Sequence, residues 1–384
     1  MKAQTFPFLI GALYVAFTPI ISVYFALARI PVPAYLFATL IAISIIAIQI
    51  GLHSSIRMPK WGLLSGVYLI YGVLVIASFV LFSNFSAPSE KLINVIYVLI
   101  APIAVIATSI GISKIGHTNQ RSQVDDLYYK LFNVSTFLLL LAFLFARQPE
   151  TDGRYVLPGL DNPIWVARHF GAGLVVYLLH NLLTRGKLTF TQLSTSLLIL
   201  GFLVLTGSRA PVLAVIVTLI LVLSKTRLLS KSKAIILFLT MALLLAGMTV
   251  LSDSYLFDTD FYSGYRRLDS LAYVADAPFR IFGHGLSSFG RHYLSEDVDI
   301  YPHNLFGELI FEFGIFGLVL SFGFCAIVMR VYASSIAGIL TMYYFINAMF
   351  SGDVPGNAPL FIAAAIAWHL YRSSNNNKPA FMKG

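Results

Sequence analysis

Long apolar runs constrain this chain most, because a run of about 17–25 apolar residues is long enough to cross a bilayer as a helix. Such runs recur along the 384 residues, and only 11% of the residues are charged, whereas a soluble domain carries about 25%. The pattern predicts an all-α polytopic membrane protein. We expect about twelve transmembrane helices, at residues 5–28, 33–52, 61–83, 92–113, 129–146, 163–183, 190–207, 210–224, 234–251, 303–329, 334–351 and 358–371.

The same pattern predicts a single integral membrane domain over residues 1–384, without a separate soluble domain. The first apolar run contains Ala26-Leu27-Ala28, which mimics a signal cleavage site, but the run is too long for a signal peptide. We therefore expect an uncleaved helix there and a cytoplasmic tail at residues 373–384. The single cysteine, Cys325, lies in an apolar run and excludes an internal disulfide.

Basic residues predict the orientation of the chain, because Lys and Arg collect in short cytoplasmic loops. With the N-terminus inside, the short inside loops are rich in cations, most clearly between Lys225 and Lys233. The net charge of +9 follows from this rule and does not require a nucleic-acid partner. We predict an N-in/C-in topology with one large periplasmic loop at residues 252–302, which carries part of the active site.

Three arginines on the predicted outer face are candidates for binding an anion. Arg209 follows Thr206-Gly207-Ser208 between two apolar runs, and Arg266 and Arg267 are adjacent in the large loop. A planar guanidinium matches phosphate oxygens, so these residues are candidate diphosphate ligands. The structural alternatives are that Arg209 snorkels to the membrane surface and that the arginine pair forms salt bridges with nearby aspartates.

A histidine stands where the large loop enters an apolar run. His303 precedes a predicted helix with Asn304 as its N-cap, and the helix dipole there disfavours the imidazolium, which leaves a neutral base near pH 7. A purely structural histidine is the alternative. Glu308 and Glu312 share a face of this helix and are expected to orient polar partners from the bundle interior. Asp353, near the end of the penultimate helix, is expected to pair with an arginine or to cap a turn.

The remaining motifs have simpler explanations. Gly307, Gly314 and Gly317 are expected to allow close helix packing. The pairs Asp258-Thr259-Asp260 and Asp297-Val298-Asp299 match the aspartate-x-aspartate pattern of metal-dependent glycosyltransferases, but this spacing is common by chance in acidic loops. We expect neither a metal ion nor a cofactor.

In combination, these motifs resemble the O-antigen ligase/O-antigen polymerase superfamily, the polytopic glycosyltransferases of bacterial surface polysaccharides. One segment resembles the ligase signature at the end of the periplasmic loop: His303-Asn304, followed by nine residues and then Gly314-x-x-Gly317. Further similarities to the family are the arginine motif Ser208-Arg209 with Leu213, the second arginine in Arg267-Leu268, the Pro…Gly-x-Gly stretch at residues 276–285 and the acidic spot Ser351-Gly352-Asp353.

The resemblance implies a function in the bacterial inner membrane. The donor would be an undecaprenyl-diphosphate-linked glycan, transferred at the periplasmic face onto an acceptor sugar hydroxyl with inversion. Arg209 and Arg267, with Arg266 beside them, would neutralise the leaving diphosphate in place of a metal, and His303 would accept the proton of the hydroxyl. The His–Gly signature favours an O-antigen ligase acting on lipid A–core. The short large loop leaves room for a polymerase that joins lipid-linked repeat units.

Two other classes of protein are less consistent with the sequence. A polysaccharide flippase or other transporter predicts repeat symmetry and charged or broken helices at the membrane midplane, whereas the notable charges here cluster at the outer face. An intramembrane protease using Ser208 and His303 lacks a supporting motif, and the adjacent Arg209 suits anion binding better. The expected partners are therefore glycan donor, glycan acceptor and membrane lipid, and not nucleic acid.

Overall fold

A computed structural model provides the structure of the chain. It describes residues 6–30, 120–149, 155–160, 162–226, 268–285, 288–294, 302–350 and 357–376. The helices predicted at residues 33–52, 61–83, 92–113 and 234–251 lie outside these described residues.

The described part of the chain is almost entirely helical, as the apolar runs predict. A two-stranded antiparallel hairpin of β1 (Gln148–Pro149) and β2 (Tyr155–Val156) follows the second helix, and residues 268–276 form a helical segment. The helices are α1 (Phe6–Leu27), α2 (Gln120–Ala146), α3 (Pro163–Arg185), α4 (Phe190–Leu205), α5 (Arg209–Lys225), α6 (Phe289–Leu294), α7 (Leu305–Phe313), α8 (Ile315–Val331), α9 (Ile336–Phe350) and α10 (Ala358–Asn376).

Helix lengths agree with a membrane protein to different degrees. Within the described residues, Arg121–Ala146 is the one helix that is both long and apolar enough to cross a bilayer by the usual criteria. Four further apolar helical stretches are shorter, at Gly11–Leu27 within α1 and at Phe190–Leu205, Ile315–Val331 and Ile336–Phe350. The all-α membrane class is therefore supported, while the number of spans and the N-in/C-in orientation stay predictions.

Three predicted helices differ from the structure by more than two residues, and one of them, predicted at 358–371, continues to Asn376. The span predicted at 303–329 is broken into α7 and α8 at Gly314, whose φ of +59° is incompatible with a continuous right-handed helix. The helix predicted at 129–146 begins at Gln120, nine residues earlier. Its additional turns are polar and carry the i,i+4 ion pairs Arg121–Asp125 and Asp126–Lys130, which a search for apolar runs does not detect.

Long-range contacts show which helix ends lie together. Asn304, just before α7, donates a hydrogen bond to the carbonyl of Met349 at the end of α9. At the opposite end of α9, the backbone N–H of Ile336 donates to the Asp125 carboxylate in the first turns of α2. Lys225, the last residue of α5, lies 6.0 Å from the ring of Tyr332, just before α9 begins.

The bundle therefore has two distinct ends. We call them the His303 end, which holds residues 302–304 and 350, and the Lys225 end, which holds residues 225 and 332–336. Because α5 packs against α9 and ends at the Lys225 end, its first residue, Arg209, lies at the His303 end. The start of α3 lies there too, because α2 begins at the Lys225 end and its residue Tyr129 stacks on His180, near the last residue of α3.

Helix α9 forms the centre of the described bundle. It packs against α3, α5, α8 and α10, and nearly all of its side chains are buried. Small residues allow this close approach: a Cβ at Gly171 of α3 would overlap the hydroxyl of Tyr343, and one at Gly173 would overlap the Thr136 side chain of α2. The packed centre gives the residues at the His303 end a rigid support.

Candidate active site

His303 occupies a constrained turn immediately before α7. Its φ is +54°, a left-handed value that costs a residue with a Cβ on the order of 1–3 kcal/mol. Its neighbours on both sides are fixed: the Ser270 hydroxyl donates to the carbonyl of Pro302 at 3.2 Å, and the Asn304 amide donates to the carbonyl of Met349 at 2.9 Å. The imidazole is half-buried. Contacts from two separate elements thus determine its position.

Asn304 has the capping role that its sequence position predicts. Its side-chain oxygen accepts hydrogen bonds from the backbone N–H groups of Phe306 and Gly307, at 3.0 and 2.9 Å. Its amide nitrogen makes the contact with Met349 described above. One side chain therefore starts α7 and also fixes α7 to the end of α9.

Glu308 and Glu312 are buried on α7, with 6% and 2% of their surface exposed. Four residues separate them, so the two carboxylates lie on the same face of a nine-residue helix. This position agrees with the prediction that the carboxylates face the protein interior. The structure thus places two carboxyl groups one turn apart on the buried face of α7.

Arg209 is the first residue of α5 and its side chain is exposed. The chain reaches it through a tight turn at Gly207, whose φ is +72°, and Ser208 occupies the N-cap position with its side chain buried. The backbone N–H of Ser208 donates to the hydroxyl of Thr206, which is also fully buried. This rigid turn presents the guanidinium at the His303 end of the bundle.

A loop of the predicted periplasmic segment is docked on the break between α7 and α8. The backbone N–H groups of His284 and Gly285 donate to the carbonyls of Phe311 and Glu312, and that of Ile315 donates to Ile281. The first two bonds satisfy carbonyls at the end of α7 that have no partner within the helix, and the third satisfies an N–H in the first turn of α8. The Pro…Gly-x-Gly stretch at residues 276–285 thus stabilises the helix break.

The glycines of this region allow backbone segments to approach each other, as predicted for Gly314 and Gly317. A Cβ at Gly314 would overlap the carbonyls of Arg280 and Ile281, and a Cβ at Gly317 would overlap the carbonyl of Leu309. Gly283 approaches the carbonyl of Glu312 in the same way. Gly307 has a looser environment, since a Cβ there would lie 3.2 Å from its nearest neighbour, a side-chain carbon of Leu271.

Two further histidines lie beside the helix break. The ring of His284 stacks on that of Phe311 with a centroid distance of 4.2 Å. The ring of His292 contacts the His284 ring edge-on, with a centroid distance of 4.9 Å. Partial burial lowers the pKa of His284 below its ordinary value of 6.5, and the positive charges of Arg280 and His292 lower it further. A hydrogen bond to the carbonyl of Pro278 raises the pKa but does not outweigh these effects. The neutral imidazole is favoured, which suits a packing role against an aromatic ring.

Arg168 is a buried cation that the sequence alone does not single out. It lies in the second turn of α3, is only 4% exposed, and its guanidinium lies 5.1 Å from the centre of the Trp165 ring. Trp165 is nearer to the start of α3, so the guanidinium is directed toward the His303 end. The sequence contains one signal for this contact: an arginine follows a tryptophan by three residues in the first turns of an apolar helix, where the two side chains can meet.

Several predicted site residues lie outside the described part of the chain. They are Arg266, Arg267 and Asp353, together with both aspartate-x-aspartate pairs. Among the described residues, no group of three or more His, Cys, Asp or Glu side chains is arranged to hold a metal ion. At the His303 end of the bundle, the described residues include an imidazole and two arginines, and α7 carries two buried carboxyl groups.

Fold and site together define a helical membrane protein with two arginines and a candidate base at one end. Residues 194–322 match the family model described as O-antigen ligase. Over this segment the predicted resemblance to the O-antigen ligase superfamily is confirmed. The match includes Arg209, Arg266, Arg267 and His303 and ends before Asp353. Comparison with curated proteins gives no match.

Proposed function

We propose that the protein is a glycosyltransferase of the bacterial inner membrane, with its active site facing the periplasm. It transfers a glycan from undecaprenyl diphosphate to a sugar hydroxyl of lipid A–core, as an O-antigen ligase does. The observation that carries this proposal is that Asn304 fixes the His303 turn to the end of α9 at which Arg209 also lies. The family match over residues 194–322 supports glycosyl transfer as the type of reaction.

The arginines are proposed to bind the donor diphosphate. Arg209 contributes an exposed guanidinium from a rigid turn, and Arg266 and Arg267 are proposed to approach from the large loop. Arg168 adds a buried cation at the same end of the bundle. Charge that develops on the leaving diphosphate is stabilised by these preorganised groups, which makes a metal ion unnecessary. Asp353 is proposed to orient one of these arginines.

His303 is proposed to act as the general base. As the acceptor oxygen forms its bond with the anomeric carbon, the imidazole accepts the hydroxyl proton. The bond between that carbon and the diphosphate oxygen breaks, and the diphosphate leaves with the electron pair. Attack from the face opposite the leaving group inverts the anomeric configuration. The contacts at Pro302 and Asn304 hold the base in position before the substrate binds.

A polymerase is the second candidate function, with the same donor and the same chemistry. The short large loop favours it, since Ile281, His284 and Gly285 of that loop already bond to α7 and α8. Purified protein in proteoliposomes should be supplied with the lipid-linked repeat, with and without lipid A–core. Glycan attached to core supports the ligase, whereas a ladder of polymers formed without core overturns that proposal in favour of the polymerase.

A further inference from the structure

The loop that docks on the helix break ends in an exposed apolar tip. Phe279, Ile281 and Phe282 have 62%, 63% and 67% of their surface exposed, and Arg280 lies between them with its side chain also exposed. Three large apolar side chains directed away from the protein within four residues are unfavourable in water. We call residues 279–282 the loop tip.

The exposure of the loop tip is enforced by its backbone. A turn is closed by the hydrogen bond from the N–H of Gly283 to the carbonyl of Arg280, at 2.9 Å. The carbonyl of Ile281 accepts from the N–H of Ile315 at 3.0 Å, at the first residue of α8. Because the turn is closed internally and is also bonded to the first residue of α8, an inward movement of its backbone would break the contacts that support the α7–α8 junction.

The loop tip continues an exposed apolar face of α8. The ring of Phe282 stacks near that of Phe316, with a centroid distance of 6.2 Å. On α8, Val319, Phe322 and Met329 are more than half exposed, at 63%, 68% and 58%. Their spacing of three and seven residues places them on one side of the helix, which in a membrane protein faces lipid. The tip therefore lies at the His303 end of a lipid-facing surface.

We propose that the loop tip inserts into the headgroup region of the phospholipid leaflet at the His303 end, and that Arg280 binds a lipid phosphate there. Aromatic side chains favour the boundary between headgroups and acyl chains, and an arginine among them reaches the phosphate layer. The proposal rests on the membrane setting of the proposed function. Since the tip is hydrogen-bonded to α8, its insertion sets the depth of α7 and of His303 relative to the lipid-linked donor.

Lipid contact can be measured directly because the chain has a single cysteine. In a Cys325→Ser background, Ile281→Cys and Phe282→Cys carry a fluorescent label, and Asp276→Cys in the preceding helical segment is the matched control, since Asp276 is exposed but polar. Vesicles of phosphatidylglycerol and phosphatidylethanolamine contain a lipid with a nitroxide near its headgroup. We expect the nitroxide to quench the labels at 281 and 282 and to leave the label at 276 unquenched. Iodide in the aqueous phase should quench the label at 276 and leave those at 281 and 282 unquenched.

Two results would overturn the proposal. One is iodide quenching at 281 and 282 equal to that at 276, which would place the tip in water. The other is shielding of both labels from lipid and iodide alike, which would indicate a protein partner or a second copy of the chain. Arg280→Gln is expected to reduce nitroxide quenching at 281, and unchanged quenching contradicts the phosphate contact. The readout needs no glycan donor, so a protein that lacks transfer but keeps lipid quenching contradicts the proposed function alone.

Discussion

At the residue scale, the bifunctional side chain of Asn304 determines the geometry of the candidate base. Its oxygen caps α7 and its nitrogen contacts the end of α9, so the turn containing His303 is fixed from both directions. The left-handed backbone of His303 persists because these surrounding contacts offset its cost.

Two substitutions separate the roles of Asn304. Asn304→Asp keeps the capping oxygen but replaces the donor to Met349 with a second acceptor, so we expect nearly normal thermal stability and reduced glycan transfer. Asn304→Ala removes both contacts and is expected to destabilise the protein by about 0.5–2 kcal/mol as well. Thermal unfolding and transfer rate are measured in parallel. Wild-type transfer by Asn304→Asp would show that the contact with Met349 does not position the base.

Arg168 gives a second prediction at this scale. Arg168→Lys keeps the charge but loses the planar fork, so we expect a higher KM for the lipid-diphosphate donor and an unchanged KM for the acceptor. Arg147→Gln is the matched control, because Arg147 is exposed beside the Tyr155 ring, 4.9 Å from its centre, and has no proposed contact with the donor. An equal effect of both substitutions on donor KM would argue against a specific role for Arg168.

At the element scale, the break between α7 and α8 is the feature that shapes the site. It ends α7 after nine residues and leaves room for the loop at 280–285 to bond with the freed carbonyls. The break depends on close backbone approaches at Gly314 and Gly317.

A pair of glycines on α8 tests this dependence. Gly317→Ala would place a methyl group against the carbonyl of Leu309, so the α7–α8 junction must shift and the unfolding temperature should fall. Gly323→Ala meets no atom within 4 Å and should be neutral or stabilising by up to about 1 kcal/mol, because alanine favours the helix. Thermal unfolding in detergent distinguishes them, and equal unfolding temperatures would contradict the close approach.

The sequence predicts the elements of this region better than it predicts their geometry. Apolar runs identify the helices, and the Asn after His303 identifies the start of α7, because both signals are local. The break at Gly314 lies inside a continuous apolar run, so hydropathy cannot detect it. Arg168 was missed for a related reason: its burial depends on α3 packing against α9, which is a contact between residues far apart in the chain.

At the scale of the whole molecule, the polar residues at the two ends of the bundle have different proposed roles. The His303 end holds Arg168, Arg209 and the α7 carboxylates. The Lys225 end holds Lys225 and the Asp125 contact that joins α2 to α9. The predicted N-in/C-in topology places the first end in the periplasm.

Cysteine accessibility tests that orientation. In the Cys325→Ser background, Asp276→Cys should react with a membrane-impermeant maleimide on intact cells whose outer membrane has been opened. Lys187→Cys lies in the turn between α3 and α4, at the opposite end of α3 from Arg168, and should react only after the inner membrane is permeabilised. Labelling in the reverse order would invert the topology and place His303 in the cytoplasm.

The most direct test of the account is glycan transfer by His303→Ala, measured with purified protein, an undecaprenyl-diphosphate-linked donor and both proposed acceptors. Loss of a general base predicts a rate lower by on the order of 10²–10⁴ with either acceptor. Thermal unfolding near the wild-type temperature would show that the protein is folded. Wild-type transfer by this folded variant would contradict the assignment of His303 as the base.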